Sequence, residues 1–138
     1  TLGNNVTTIG DGAFSNCRSL TEITLPDNLQ NIGANAFSGT GLTSIHIPAK
    51  VHRIGTGLDD LVIDVDNSFG NCKSLTEISV DPNNITYSSN YGVLFNKNKT
   101  TLLFCPQAKT TCTIPMETTQ IGPCAFLDCS ELTQVNIS

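Results

Sequence analysis

The side chains able to do covalent or metal chemistry in this 138-residue chain are 6 Cys, 2 His and 12 carboxylates. Zinc sites favour closely paired ligands such as C-x₂-C. No such pair occurs, and His46 and His52 are six residues apart. Cys17, Cys72 and Cys129 each stand three residues before a leucine. A free buried cysteine behaves as a small hydrophobe, so these three read as one recurring core slot. Cys105, Cys112 and Cys124 lie outside that slot. Cys105 and Cys112 fall near one another on successive strands, as a candidate disulfide or as two thiols. Asp59, Asp60, Asp64 and Asp66 crowd one stretch. Their spacing does not fit a calcium loop of the helix–loop–helix kind, so they read as a solvated acidic face. No nucleophile–base–acid set stands out and no Gly-rich phosphate loop appears. The chain is therefore expected to be non-enzymatic, with no catalytic residue, cofactor or metal.

Four N-x-S/T sequons occur, at Asn5, Asn84, Asn98 and Asn136. The first three are candidate glycan acceptors, whereas Asn136 falls on a strand. Against this, a chain with 18 Thr and 14 Asn generates sequons by chance. Charged residues are only 14% and the net charge is -5. That excludes a duplex nucleic-acid binder, which needs cations to displace phosphate counterions. No apolar run approaches the roughly 20 residues of a membrane span, so no direct membrane insertion is expected in this segment. The opening residues carry no leader signature.

The elements that position these residues follow from an internal repeat. Residues 6–28, VTTIGDGAFSNCRSLTEITLPDN, align with residues 29–50, LQNIGANAFSGTGLTSIHIPAK, through one deletion. Copies recur as SFGNCKSLTEISVDP and TTQIGPCAFLDCSELTQVNIS. The pattern is V-x-x-I-G-x-x-A-F-x-x-C-x-x-L-x-x-I-x-I-P. Its I-x-I alternation predicts one short strand per copy, ended by proline. The three-residue apolar spacing of A-F-x-x-C-x-x-L predicts a short helical or 3₁₀ turn. One unit cannot bury its own apolar face, but stacked units can. The expected fold is a right-handed solenoid with short parallel strands on one face and helical turns on the other. Residues 1–138 form one domain, with an insertion at 56–67 and a β-hairpin unit at 81–106, where GVLFN and TLLFC flank KNKT. Leu2 and Ile137 fall in the strand slot of Leu25, so the chain reads as a segment of a longer array, with apolar ends open to homo-association. Ser68, Thr40 and Thr118 replace apolar residues of the pattern.

IGDGAFSNCRSLTEITLP, IGPCAFLDCSELTQVNI and the tyrosine-serine, G-V-L and N-K-N-K-T-T-L stretch of the hairpin unit resemble BspA-like leucine-rich repeats, the class with a 23-residue period. The resemblance implies a cell-surface or secreted protein of a host-associated bacterium or parasitic protist. It implies adhesion to host cells or to an extracellular or matrix protein. The strand face would then present Glu22, Thr24, Ser44, His46, Glu77, Ser79, Thr113, Gln134 and Asn136 as candidate binding residues. Tyr87, Tyr91, Phe95 and Phe104 are candidate aromatic anchors, some of which must also fill the core. The alternative is a structural spacer or stalk that displays another domain.

Overall fold

The computed structural model describes residues 1–56 and 67–138. The acidic stretch with Asp59, Asp60, Asp64 and Asp66 lies outside them. The chain coils into a β-solenoid of about 5 turns. Each regular coil uses its isoleucines twice. The I-G positions make two-residue strands β1 (Thr8–Ile9) and β2 (Asn31–Ile32), and the positions before the prolines make β3 (Ser44–Ile47). Next come β4 (Arg53–Ile54) and β5 (Glu77–Val80). Strands β1, β2 and β4 pair in parallel with Ile9, Ile32 and Ile54 in register. Strands β3 and β5 pair in parallel with Ile45 opposite Ile78. The sequence predicted only the second strand class, because a two-residue strand is too short to show alternation.

The segment after each I-G strand is not helical, which corrects the expected helical or 3₁₀ face: no helix occurs among the described residues. A left-handed residue recurs every fourth position: Gly12 and Asn16, Asn35 and Gly39, Asn67 and Asn71, Cys124 and Asp128. A right-handed helix cannot pass through such residues, which Gly and Asn tolerate best. The result is a run of separate turns. Their N–H groups alternate between two partners. Ala13, Ser15 and Cys17 donate within the turn to the third carbonyl back, at 3.2, 3.0 and 3.1 Å. Gly12, Phe14 and Asn16 donate to Ala34, Ala36 and Ser38 of the next coil, at 2.8, 2.8 and 2.7 Å. The backbone is thus stitched between coils on this side as well.

The hairpin unit breaks the repeat with three strands, β6 (Tyr87–Asn90), β7 (Val93–Asn96) and β8 (Thr101–Phe104). Strands β7 and β8 form the expected antiparallel pair, and β6 adds to β7. The polar run YSSN gave no apolar signal for β6. The regular coil resumes as β9 (Thr111–Ile114), β10 (Gln120–Ile121) and β11 (Gln134–Ile137). β10 pairs in parallel with β8, and β11 with β9.

The apolar residues of β7 and β8 are all buried, so this sheet works as a septum. Leu94, Leu103 and Phe104 face one core with Phe37, Leu42, Phe69 and Leu75. Val93, Phe95, Leu102 and Cys105 face a second core with Cys112 and Ala125. Phe14, Phe37 and Phe69 stack face to face at 5.4 and 6.0 Å, and Phe104 meets Phe69 at 6.0 Å with a tilt of 51°. The three polar departures each donate to a carbonyl or meet a thiol. Ser68 Oγ donates to Gly33 O at 3.0 Å, Thr118 Oγ1 to Lys99 O at 2.7 Å, and Thr40 Oγ1 lies 3.4 Å from Cys72 Sγ.

Two side chains anchor the hairpin unit to the coil before it. The Tyr87 hydroxyl accepts from Ile54 N–H at 3.0 Å, taking the ladder place next to β4. Asn84 Nδ2 donates to Pro48 O and Val51 O at 2.9 and 2.8 Å, while its Oδ1 accepts from Thr86 N and Tyr87 N at 2.9 and 2.8 Å. Asn84→Ala should cost about 3 kcal/mol in urea unfolding, since several buried bonds at about 1 kcal/mol each are lost. The exposed Asn98→Ala should change stability by less than about 0.5 kcal/mol. Burial pushes the Tyr87 hydroxyl pKa up from 10.0 to about 12, against lowering by the Ile54 N–H and Arg53. A raised folded pKa stabilises below the unfolded value and loses that contribution as pH rises through the folded one. Stability should therefore fall by about 2 kcal/mol between pH 10 and 12, in a pH series of unfolding curves, and Tyr87→Phe should flatten that fall.

Candidate functional site

The outward positions of β3, β5, β9 and β11 form the candidate binding face. Ser44 stands opposite Glu77, and His46 opposite Ser79. Thr111 stands opposite Gln134, and Thr113 opposite Asn136. Alternation drives Ile45, Ile47 and Ile78 into the core and leaves Ser44, His46 and Glu77 exposed. His46 Nδ1 lies 2.9 Å from Ser79 Oγ, and Gln134 Nε2 donates to Asn136 Oδ1 at 2.8 Å. The structure therefore brings seven of the nine predicted strand-face residues into two paired patches. Glu22 and Thr24 are exposed but lie in no strand, which corrects their assignment. Their segment meets the next coil through Thr43 N–H donating to Thr21 O at 3.3 Å, a long bond that does not extend into a ladder.

Between the two patches sits the β6–β7 turn. Gly92 O accepts from Ile78 N–H at 2.9 Å, so the turn takes the place beside β5. A Cβ at Gly92 would come within 3.3 Å of Glu77 Cα, and its φ is +79°. The left-handed backbone favours glycine there, and a side chain would press on Glu77. The turn creates a cleft of about 430 Å³ lined by Thr76, Glu77, Tyr91, Gly92, Lys109, Thr111 and Thr113. Lys109 Nζ donates to Tyr91 O at 2.7 Å and holds the turn from the far side. Of the four candidate aromatic anchors, Tyr87, Phe95 and Phe104 are buried, whereas Tyr91 is 75% exposed. The N-Y-G sequence could have marked Tyr91 as a turn tip. Lys109 carries no sequence signal, since it comes from a loop eighteen residues on.

The cysteines are all free thiols, so the candidate Cys105–Cys112 disulfide is not formed here. Cys105, Cys112 and Cys129 nonetheless meet in the second core. Cys105 Sγ donates to Pro106 O at 3.8 Å. The neighbouring Cys112 thiol, together with burial, raises the Cys105 pKa, and the Cys105 thiol lowers that of Cys112 against the raising effect of burial. Burial raises Cys129. The shared slot is buried at Cys72, half-buried at Cys129 and exposed at Cys17. Within the structure the Cys17 coil has a neighbouring coil on one side only. Cys72 Sγ donates to Phe37 O at 3.1 Å and Cys129 Sγ to Cys105 O at 3.4 Å. The slot thus supplies a bond between coils as well as volume.

A family model for the BspA type leucine rich repeat region, in 6 copies, matches residues 1–106 and 62–138. The chain belongs to the BspA-type leucine-rich repeat family. A leucine-rich repeat protein from Eubacterium ventriosum is 28% identical, with a TM-score of 0.77 over 98% of this chain and 34% of its own. A leucine rich cell surface protein from Faecalibacterium prausnitzii is 30% identical, with a TM-score of 0.70 over 99% of this chain and 40% of its own. The pneumococcal vaccine antigen PcpA shares the fold at 20% identity and a TM-score of 0.51, over 98% of this chain and 44% of its own. No curated protein matches. The chain thus spans less than half the length of these solved relatives.

Asn84 has no exposed surface and all its amide atoms are engaged, so it leaves the set of glycan acceptors. Asn5 and Asn98 are exposed. Expression in a glycosylating eukaryotic host, followed by peptide mass mapping, should find glycan at Asn5 or Asn98 and none at Asn84 of the folded protein.

Proposed function

We propose that this chain is a non-enzymatic repeat module of a cell-surface or secreted protein, binding extracellular or host-cell proteins, matrix proteins among them, through its strand face. The supporting observation is the in-register display of Ser44, His46, Glu77 and Ser79 beside Thr113, Gln134 and Asn136 on strands fixed by parallel backbone ladders. A rigid scaffold loses little entropy when its side chains are engaged. Apart from Tyr91 the face carries no aromatic side chain, and interface energy usually concentrates in Trp, Tyr and Arg. Each coil therefore contributes little, and affinity grows with the number of coils engaged. The description of the Faecalibacterium prausnitzii relative as a cell surface protein supports the location.

Replacing His46, Glu77, Thr113 and Gln134 together with Ala should weaken binding to an immobilised matrix or host-cell protein by about tenfold or more. The readout is surface plasmon resonance, with the unfolding midpoint unchanged. Equal binding by the variant would show that the strand face is not the contact.

A further inference from the structure

Tyr91 sits where local physics disfavours it. Strands β6 and β7 are closed by the Asn90–Val93 pair, leaving the two-residue loop Tyr91–Gly92. Both loop residues have positive φ, 47° and 79°. Such a loop favours Asn-Gly, because Asn tolerates the left-handed region and a large aromatic does not. The tyrosine is not repaid by burial, since the residue is 75% exposed. A sequence that breaks a local rule without a packing gain points to use of the side chain itself.

Tyr91 lines a cleft whose other groups are mixed and charge-balanced. Glu77 offers a carboxylate acceptor and Lys109 an ammonium donor, while Thr111 and Thr113 supply hydroxyls that donate or accept. One negative and one positive side chain leave no net attraction for a charged ligand. The volume of about 430 Å³ lies within the roughly 300–1,000 Å³ of small-molecule sites. A neutral sugar ring matches this set. Its C–H face carries the partial positive charge that the face of an aromatic ring attracts. Its hydroxyls both donate and accept, as the rim does.

We propose that the Tyr91 cleft is a binding site for a neutral saccharide, which stacks on the tyrosine ring and hydrogen-bonds to Glu77, Thr111 and Thr113. This goes beyond the protein-binding reading and does not depend on it. A basic segment of a protein partner is the competing occupant, and the balance of Glu77 by Lys109 argues against it.

Two-dimensional NMR of the whole chain separates these cases. Galactose, glucose, N-acetylglucosamine, lactose and maltose would be titrated in turn, and then an uncharged-flank peptide carrying a single arginine. At least one saccharide should shift the amides of Glu77, Gly92 and Thr113 saturably, with a millimolar Kd. Tyr91→Asn should weaken that binding by about tenfold, the worth of an aromatic face, while the unfolding midpoint stays the same or rises because Asn suits the turn. Stability and binding then move in opposite directions, which a folding defect cannot mimic. No shift from any saccharide at roughly 50 mM, well above the millimolar range, would overturn the proposal. So would undiminished binding by Tyr91→Asn. Shifts from the arginine peptide alone would overturn it while leaving the protein-binding reading standing.

Discussion

A coil of this chain can satisfy neither its apolar side chains nor its backbone until another coil lies against it. That mutual dependence organises everything else. On one side, β1, β2 and β4 share a parallel ladder, and on the next side β3 pairs with β5. On the turn side, alternate N–H groups of residues 12–16 bond to carbonyls of residues 34–38. Buried backbone groups must be paired, and here the partner is supplied mainly by the neighbouring coil. The side chains follow the same rule. Phenylalanines stack on phenylalanines, and Cys72 and Ser68 donate to carbonyls one coil back. Stability in such a structure is a sum over interfaces between coils.

The hairpin unit is where that regularity is interrupted and where the face acquires a distinguishing feature. Its sheet is buried on both sides, so it divides the apolar interior without breaking it. Asn84 and Tyr87 spend their polar groups on Pro48, Val51 and Ile54, binding the irregular unit to a regular one. The cost falls on the strand face, which is split by the turn at Tyr91–Gly92. What would be a uniform polar sheet becomes two patches with a cleft between them.

The repeat, its inward slots and the β7–β8 hairpin were legible in the sequence because each depends on residue types at fixed spacing. The turn face was misread as helical because apolar residues three apart suit successive turns as well as a helix. The decisive signal lay in the pairs Gly12 and Asn16, Asn35 and Gly39, and Asn67 and Asn71, whose four-residue spacing marks left-handed positions. The strand-face residues from Ser44 onward were placed correctly by alternation. Glu22 and Thr24 share that alternation, yet the coil there makes no ladder. Asn84 looked like a glycan site because a sequon is local, while its burial depends on carbonyls more than thirty residues earlier. Lys109 reaches the cleft through a contact that no local pattern encodes.

The account makes the strand face, with its central cleft, the contact surface, and the turn face a structural back. Hydrogen exchange of the chain bound to a protein partner, with the partner in excess, tests that division directly. The account predicts slower exchange at 44–46, 77–79 and 111–113 on binding, with no change at 12–16, 35–39 and 67–71. Protection confined to the turn face would contradict it.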